Sequence, residues 1–178
     1  MSVQSLFAGF RATRLTLAAW CVAHGVAVAQ DQDCAPQNPR RATVTAIDER
    51  FELTLSDGIR LRLAGVEPPR ATLSNPRLAL EARDKLAAWL TNREIAYSSP
   101  QKAPDRWARL EAFAAAQATP GGPDLPLARA IVDAGLARVL PEASVRACMP
   151  DLLRHEAEAR ADRLGVWAED RKSTRLNS

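Results

Sequence analysis

The residues of this chain that could do chemistry are two cysteines, several arginines and a run of carboxylates. Arg62 lies in the stretch Arg60-Leu61-Arg62-Leu63-Ala64-Gly65-Val66-Glu67-Pro68-Pro69-Arg70, and Arg109 ends Asp105-Arg106-Trp107-Ala108-Arg109. A guanidinium offers planar, bidentate donors that suit phosphate oxygens; on alternation alone, however, both read as solvated strand arginines. Glu49, Glu52 and Asp57 bring further carboxylates to the same part of the chain. His155 stands beside Glu156 without a matching ligand and reads as a surface residue. No Ser-His-Asp or Cys-His arrangement is supported.

The elements that must position these residues follow from periodicity. Ala42–Ile47 and Phe51–Leu55 alternate apolar and polar residues, and Ile59–Val66 follows the Ser56-Asp57-Gly58 turn, which together predict a meander. A first helix is expected after Pro76, with Leu78, Ala82, Leu86, Trp89 and Leu90 on one face. Glu94–Ser98 and Trp107–Ala115 read as a fourth and a fifth strand. A second helix is expected over Pro126–Ala134, capped by Gly135. The third is expected over Pro150–Arg163, with Leu153, Ala157 and Leu164 inward and Gly165 closing it. Five strands with three helices imply an α+β, mainly β chain built as a small Greek-key barrel.

Both ends fall outside that domain. Residues 1–29 have a cationic start at Arg11 and Arg14, an apolar run and Ala27-Val28-Ala29 before Gln30, the layout of a signal peptide. Export to the periplasm or beyond is therefore expected, with residues 30–41 as an extended leader. Residues 170–178, Asp-Arg-Lys-Ser-Thr-Arg-Leu-Asn-Ser, match the translation of a common sequencing adapter and are expected to be an artefact. The formal charge of +3 loses two units with Arg11 and Arg14 and a net two with residues 170–178, which leaves −1 for residues 30–169. Charge thus gives no argument for nucleic acid. Removing the signal also removes Cys21, so Cys34 and Cys148 remain as an even pair in an oxidising compartment and are expected to form a disulfide.

At this point the motifs resemble those of the thermonuclease-like (staphylococcal-nuclease-like) OB-fold family over residues 42–169. Ile47-Asp48-Glu49-Arg50-Phe51 stands at the family's DGDT-type turn, and Arg62-Leu63-Ala64-Gly65-Val66-Glu67-Pro68-Pro69-Arg70 at its R-L-x-G-[IV]-D-x-P-E strand. Asp105-Arg106-Trp107-Ala108-Arg109 is similar to D-[RK]-[YW]-G-R, and Gly135-Leu136-Ala137-Arg138-Val139 to G-L-A-[RK]-V. A fifth block runs from Glu156 through Leu164-Gly165-Val166-Trp167. Such blocks in fitting order point to the fold more strongly than any one alone.

The resemblance implies a site. Active members hold calcium with two aspartates, use a glutamate to activate or position water, and bind phosphate through two arginines. Arg62 and Arg109 fall on the arginine positions. Asp48 matches the first aspartate of the turn, outside the direct ligands, while Arg50 replaces the next, a metal ligand. A cation there would meet a guanidinium, a repulsion of about 4 kcal/mol at about 4 Å and an effective dielectric near 20. Glu67 takes the other metal-ligand position as a weak ligand, and Arg70 stands where the catalytic glutamate belongs. Glu52, on the outer face of its strand, and Asp57, in a distant turn, are not expected to substitute.

The family's tyrosines after the fourth block are missing, that stretch reading Leu140-Pro141-Glu142. Trp89, Trp107 and Trp167 are expected in the core. The sequence thus points to a monomeric, exported domain without calcium-dependent nuclease activity and without a cofactor, serving as a phosphate, nucleic-acid or protein binding module. The alternative is an active or weakly active calcium-dependent nuclease. If Arg50 and Arg70 join Arg62 and Arg109, four guanidiniums are expected to converge with Glu67 and Asp48 to offset them, unless Arg50 pairs with Glu67.

Overall fold

Residues 34–119 and 121–169 are described in the computed structural model. The expected signal peptide 1–29 and the terminal stretch 170–178 lie outside them, and of the expected leader 30–41 the last two residues, Arg40 and Arg41, are already strand, paired with Tyr97 and Ala96. In chain order the elements are β1 (Arg40–Ile47), β2 (Glu52–Leu55), β3 (Arg60–Leu63), β4 (Val66–Glu67) and α1 (Leu78–Leu90). They continue with β5 (Glu94–Ser98), β6 (Arg109–Gln117), β7 (Asp124–Pro126), α2 (Leu127–Asp133), β8 (Arg138–Val139) and α3 (Met149–Ala161).

The alternating segments form the predicted meander of β1, β2 and β3. The register of β1 shifts between Val44 and Ala46, so its first half pairs with β5 and its second half with β2. Such a bulge bends a strand enough to serve two neighbours. β5 pairs antiparallel with β6, and β6 returns to pair in parallel with β3. These five strands close on themselves, giving the expected barrel. Short β7 extends the sheet from β6, while β4 and β8 pair outside it.

Period two puts Leu53, Leu55, Leu61, Leu63, Leu110 and Ala112 inside the barrel, all buried. Leu86 and Leu90 of α1 and Leu127 and Ile131 of α2 close the core, each with no exposed surface. Cys34 and Cys148 form a disulfide across 114 residues of sequence, with Cα atoms 5.5 Å apart. It ties the segment before β1 to the residue that opens α3. No helix among the described residues is long and apolar enough to cross a membrane.

The face of α3 differs from expectation. Leu152, His155 and Ala159 point inward, whereas Leu153 is 47% exposed and Leu164 40%. The adjacent leucines at 152 and 153 allow two helical phases; packing against α2 selects the one that buries His155.

Gly135 ends α2 at φ 63°; α3 instead stops at Ala161 with left-handed Arg163 (φ 57°) after it, and Gly165, at φ 51°, opens the following 3-10 turn rather than closing α3. The Val166 N–H donates to the Gly135 carbonyl at 2.9 Å. A Cβ on Gly135 would run into the Leu164 backbone, and one on Gly165 into the Gly135 carbonyl. Gly135→Ala or Gly165→Ala should therefore cost about 3 kcal/mol, combining left-handed strain of about 1–2 with overpacking of about 1–3. Urea unfolding checks this; a midpoint unchanged in both variants would show that the two turns part easily.

Candidate functional site

Two turns of one build carry the site. In the first, Asp48 Oδ1 accepts the N–H groups of Arg50 at 2.9 Å and Glu52 at 2.8 Å. In the second, Asp105 Oδ1 accepts those of Trp107 at 2.8 Å and Arg109 at 3.0 Å. Each turn then needs a left-handed residue, Phe51 at φ 59° and Ala108 at φ 60°. That conformation costs a side-chain-bearing residue about 1–2 kcal/mol, and the paired acceptor bonds hold it in place. Asp48 is thus occupied as a turn organiser and does not line the cleft described next.

Between these turns and the strand ends lies a cleft of about 400 Å³. Its apolar wall is Phe51, Leu63, Val66, Pro68, Pro69 and Leu140; its charged lining is Glu49, Arg50, Glu52, Arg62, Glu67, Arg70 and Arg109. Arg50, Arg62, Glu67, Arg70 and Arg109 are therefore brought together from the turn before β2, from β3, β4 and β6, and from the loop after β4.

The four guanidiniums line one cleft, but they are not offset by Glu67 and Asp48 alone. Arg62 lies between two carboxylates, its Nη1 donating to Glu142 at 2.7 Å and its Nη2 to Glu111 at 2.5 Å. Arg109 is held likewise, by Glu52 at 2.8 Å from Nη1 and by Asp105 at 3.0 Å from Nε. Arg70 pairs with Glu67 at 2.8 Å, taking the partner suggested for Arg50. Four carboxylates thus offset Arg62 and Arg109. The parallel pairing of β3 with β6 sets Arg62 directly beside Glu111, and cross-strand neighbours of opposite charge attract.

The electrostatics follow from these contacts. Burial works against the Asp105 charge, but hydrogen bonds from the Arg109 backbone and guanidinium and from the Trp107 amide outweigh it and hold its carboxyl below the usual carboxylate range. The bonds to Glu52 and then Asp105 push Arg109 still higher, so its charge is permanent.

Glu52 does lie on the outer face of its strand, as alternation implies. That face is the floor of the cleft, where Arg109 and Arg60 cover Glu52 and leave its side chain 7% exposed. Asp57 is away from the cleft, accepting from the Tyr97 hydroxyl at 3.1 Å. Trp107 is 51% exposed instead of packing the core. Its ring carries Arg106 at 3.8 Å and Arg109 at 4.7 Å, and its carbonyl accepts from Arg60. Trp167 is buried as expected and Trp89 partly so. Glu111 and Glu142 have no local signal in sequence, because their partner is 49 and 80 residues away.

The family model described as staphylococcal nuclease homologue matches residues 60–169. The chain belongs to this family. The matched range includes Arg62, Glu67, Arg70 and Arg109. No curated protein matches the chain.

The staphylococcal nuclease family is calcium-dependent in general, and the residues of this cleft do not fit that ion. Calcium takes six to eight hard oxygens, whereas here Arg50 and Arg70 line the cleft and Glu67 is engaged by Arg70. Elsewhere Asp133, His155 and Glu158 bring ligand atoms within 4.8 Å of one another. His155, expected at the surface, is 4% exposed, and its Nδ1 is 2.6 Å from Asp133. Arg154 approaches Nε2 at 2.8 Å. Asp151 Oδ2 lies 3.3 Å from the same nitrogen, so a carboxylate stands at each ring nitrogen of His155. The group reads as a tether between α2 and α3.

Proposed function

We propose that this chain is an exported staphylococcal-nuclease-fold protein that does not hydrolyse nucleic acid by the calcium route and acts as a binding or structural module. The observation that carries the reading is the Arg70–Glu67 pair at 2.8 Å, which takes the carboxylate expected at the metal position. By the family motif, Arg70 stands where the glutamate that activates water would be. Export is supported by the signal-like leader and by the Cys34–Cys148 bond, since disulfides persist in oxidising compartments. The apolar cleft wall and the carboxylates paired to Arg62 and Arg109 favour a protein segment over a phosphate chain as its occupant.

The test is plasmid degradation with calcium, magnesium or manganese, beside a calcium titration followed by tryptophan fluorescence. No cleavage and no saturable signal are expected. Metal-dependent cleavage that Arg62→Ala or Arg109→Ala abolishes would overturn the reading in favour of an active nuclease. A second reading, retained contact with nucleic acid without hydrolysis, is favoured by exposed Trp107 between Arg106 and Arg109, since an aromatic face flanked by cations can stack a base.

A further inference from the structure

The contacts of Arg62 are those an anionic ligand would receive. Two carboxylate oxygens meet the two terminal nitrogens of one guanidinium, and the second oxygen of Glu142 accepts the Gly65 N–H at 3.2 Å. A guanidinium and a backbone N–H converging on one anion is the usual form of phosphate and carboxylate recognition. Here that anion is the chain itself. Glu111 comes from the neighbouring barrel strand, whereas Glu142 comes from the segment after β8 and reaches across 80 residues of sequence.

We propose that Glu111 and Glu142 are built-in competitors that close the Arg62 fork to external anions, making the cleft reject phosphate. This rests on the reading that hydrolysis has been lost. An incoming phosphate would have to displace a tethered carboxylate or lie against two negative charges. The two side chains are 15% and 20% exposed, so salt screens that repulsion less than at an open surface. Tethering also lets each carboxylate compete at an effective concentration on the order of millimolar.

The test is calorimetric titration of inorganic pyrophosphate at low salt in the presence of EDTA. The proteins are the wild type, Glu142→Gln, the double variant Glu111→Gln with Glu142→Gln, and that double variant carrying Arg62→Ala. Glutamine keeps the shape and the acceptor for Gly65 but removes the charge. Wild type should bind most weakly of the first three. Affinity should rise by about tenfold for the single variant and about a hundredfold for the double, roughly a factor of ten per like charge removed. It should fall with salt and vanish with Arg62→Ala.

Equal affinity in wild type and Glu142→Gln overturns the proposal, as does a folded double variant that binds nothing or a gain that survives Arg62→Ala. If the double variant does not fold, Glu142→Gln alone decides, because no gain there is equally fatal. The titration involves no metal and no turnover. Nuclease activity of the wild type would thus sink the functional reading, whereas this comparison fails or stands by itself.

Discussion

The double variant Arg50→Asp with Arg70→Glu is expected to bind calcium, seen as a saturable tryptophan signal that EDTA reverses, where the wild type gives none. Each substitution swings the local charge by two units. A unit charge at about 4 Å is worth about 4 kcal/mol at an effective dielectric near 20, and the ion carries two. Arg70→Glu has a second effect, because it releases Glu67 from the guanidinium now 2.8 Å away. Three carboxylates at the mouth of the cleft would approach the hard-oxygen set that calcium takes, with an affinity on the order of millimolar.

Calcium without cleavage is the expected phenotype. Arg62 would still be engaged by Glu111 and Glu142, and Arg109 by Glu52 and Asp105, so substrate phosphate would lack its forks. Adding Glu142→Gln should then bring the first detectable cleavage of plasmid DNA. If the double variant gains no calcium signal while remaining folded, the turn at Asp48–Phe51 and the strand at Val66–Glu67 do not correspond to the family's metal turn, and the placement of Arg50 is wrong.

The barrel was legible because its signals are local. Period-two alternation specifies β1, β2 and β3, and Gly135 announces the end of α2 by a backbone conformation few other residues adopt; α3 ends instead just before left-handed Arg163, which carries no such signal. The motif blocks located Arg62, Glu67, Arg70 and Arg109 at one cleft. What sequence could not supply is pairing at a distance. Arg109 meets Glu52 across 57 residues and Arg62 meets Glu142 across 80, so each of these two cations is held between two carboxylates that local sequence does not reveal together. Phase was the other gap. Leu152 and Leu153 both satisfy a helical period, and the choice between them, made by packing against α2, decides whether His155 is surface or core. Trp107 was placed in the core because tryptophan usually packs there. It precedes left-handed Ala108 in a turn held by Asp105, which turns its ring outward.

Replacing both disulfide cysteines, Cys34→Ala with Cys148→Ala, is expected to lower stability by about 4–5 kcal/mol, because the bond closes a loop of more than a hundred residues and chain entropy grows with its length. The sequence separation is 114 and the Cα atoms are 5.5 Å apart, a spacing at which a disulfide forms without moving the backbone. For a domain whose total stability is about 5–15 kcal/mol, that is a large fraction. The loss should be read as a lower urea midpoint, with a slope that changes if the unlinked denatured chain expands. Both cysteines are 5% exposed, so alanine adds a small packing loss at each. The effect should reach the cleft as well. The Cys148 N–H donates to the Val145 carbonyl, Val145 packs against Gly65, and Glu142 lies at the start of that segment. The variant should therefore hold Arg62 less firmly and take up pyrophosphate at low salt more readily than the wild type. Unfolding coincident with wild type, or two thiols titrating in the native protein, would refute the crosslink as a stabilising element; a large stability loss with unchanged anion binding would confine its role to the N-terminal segment and α3.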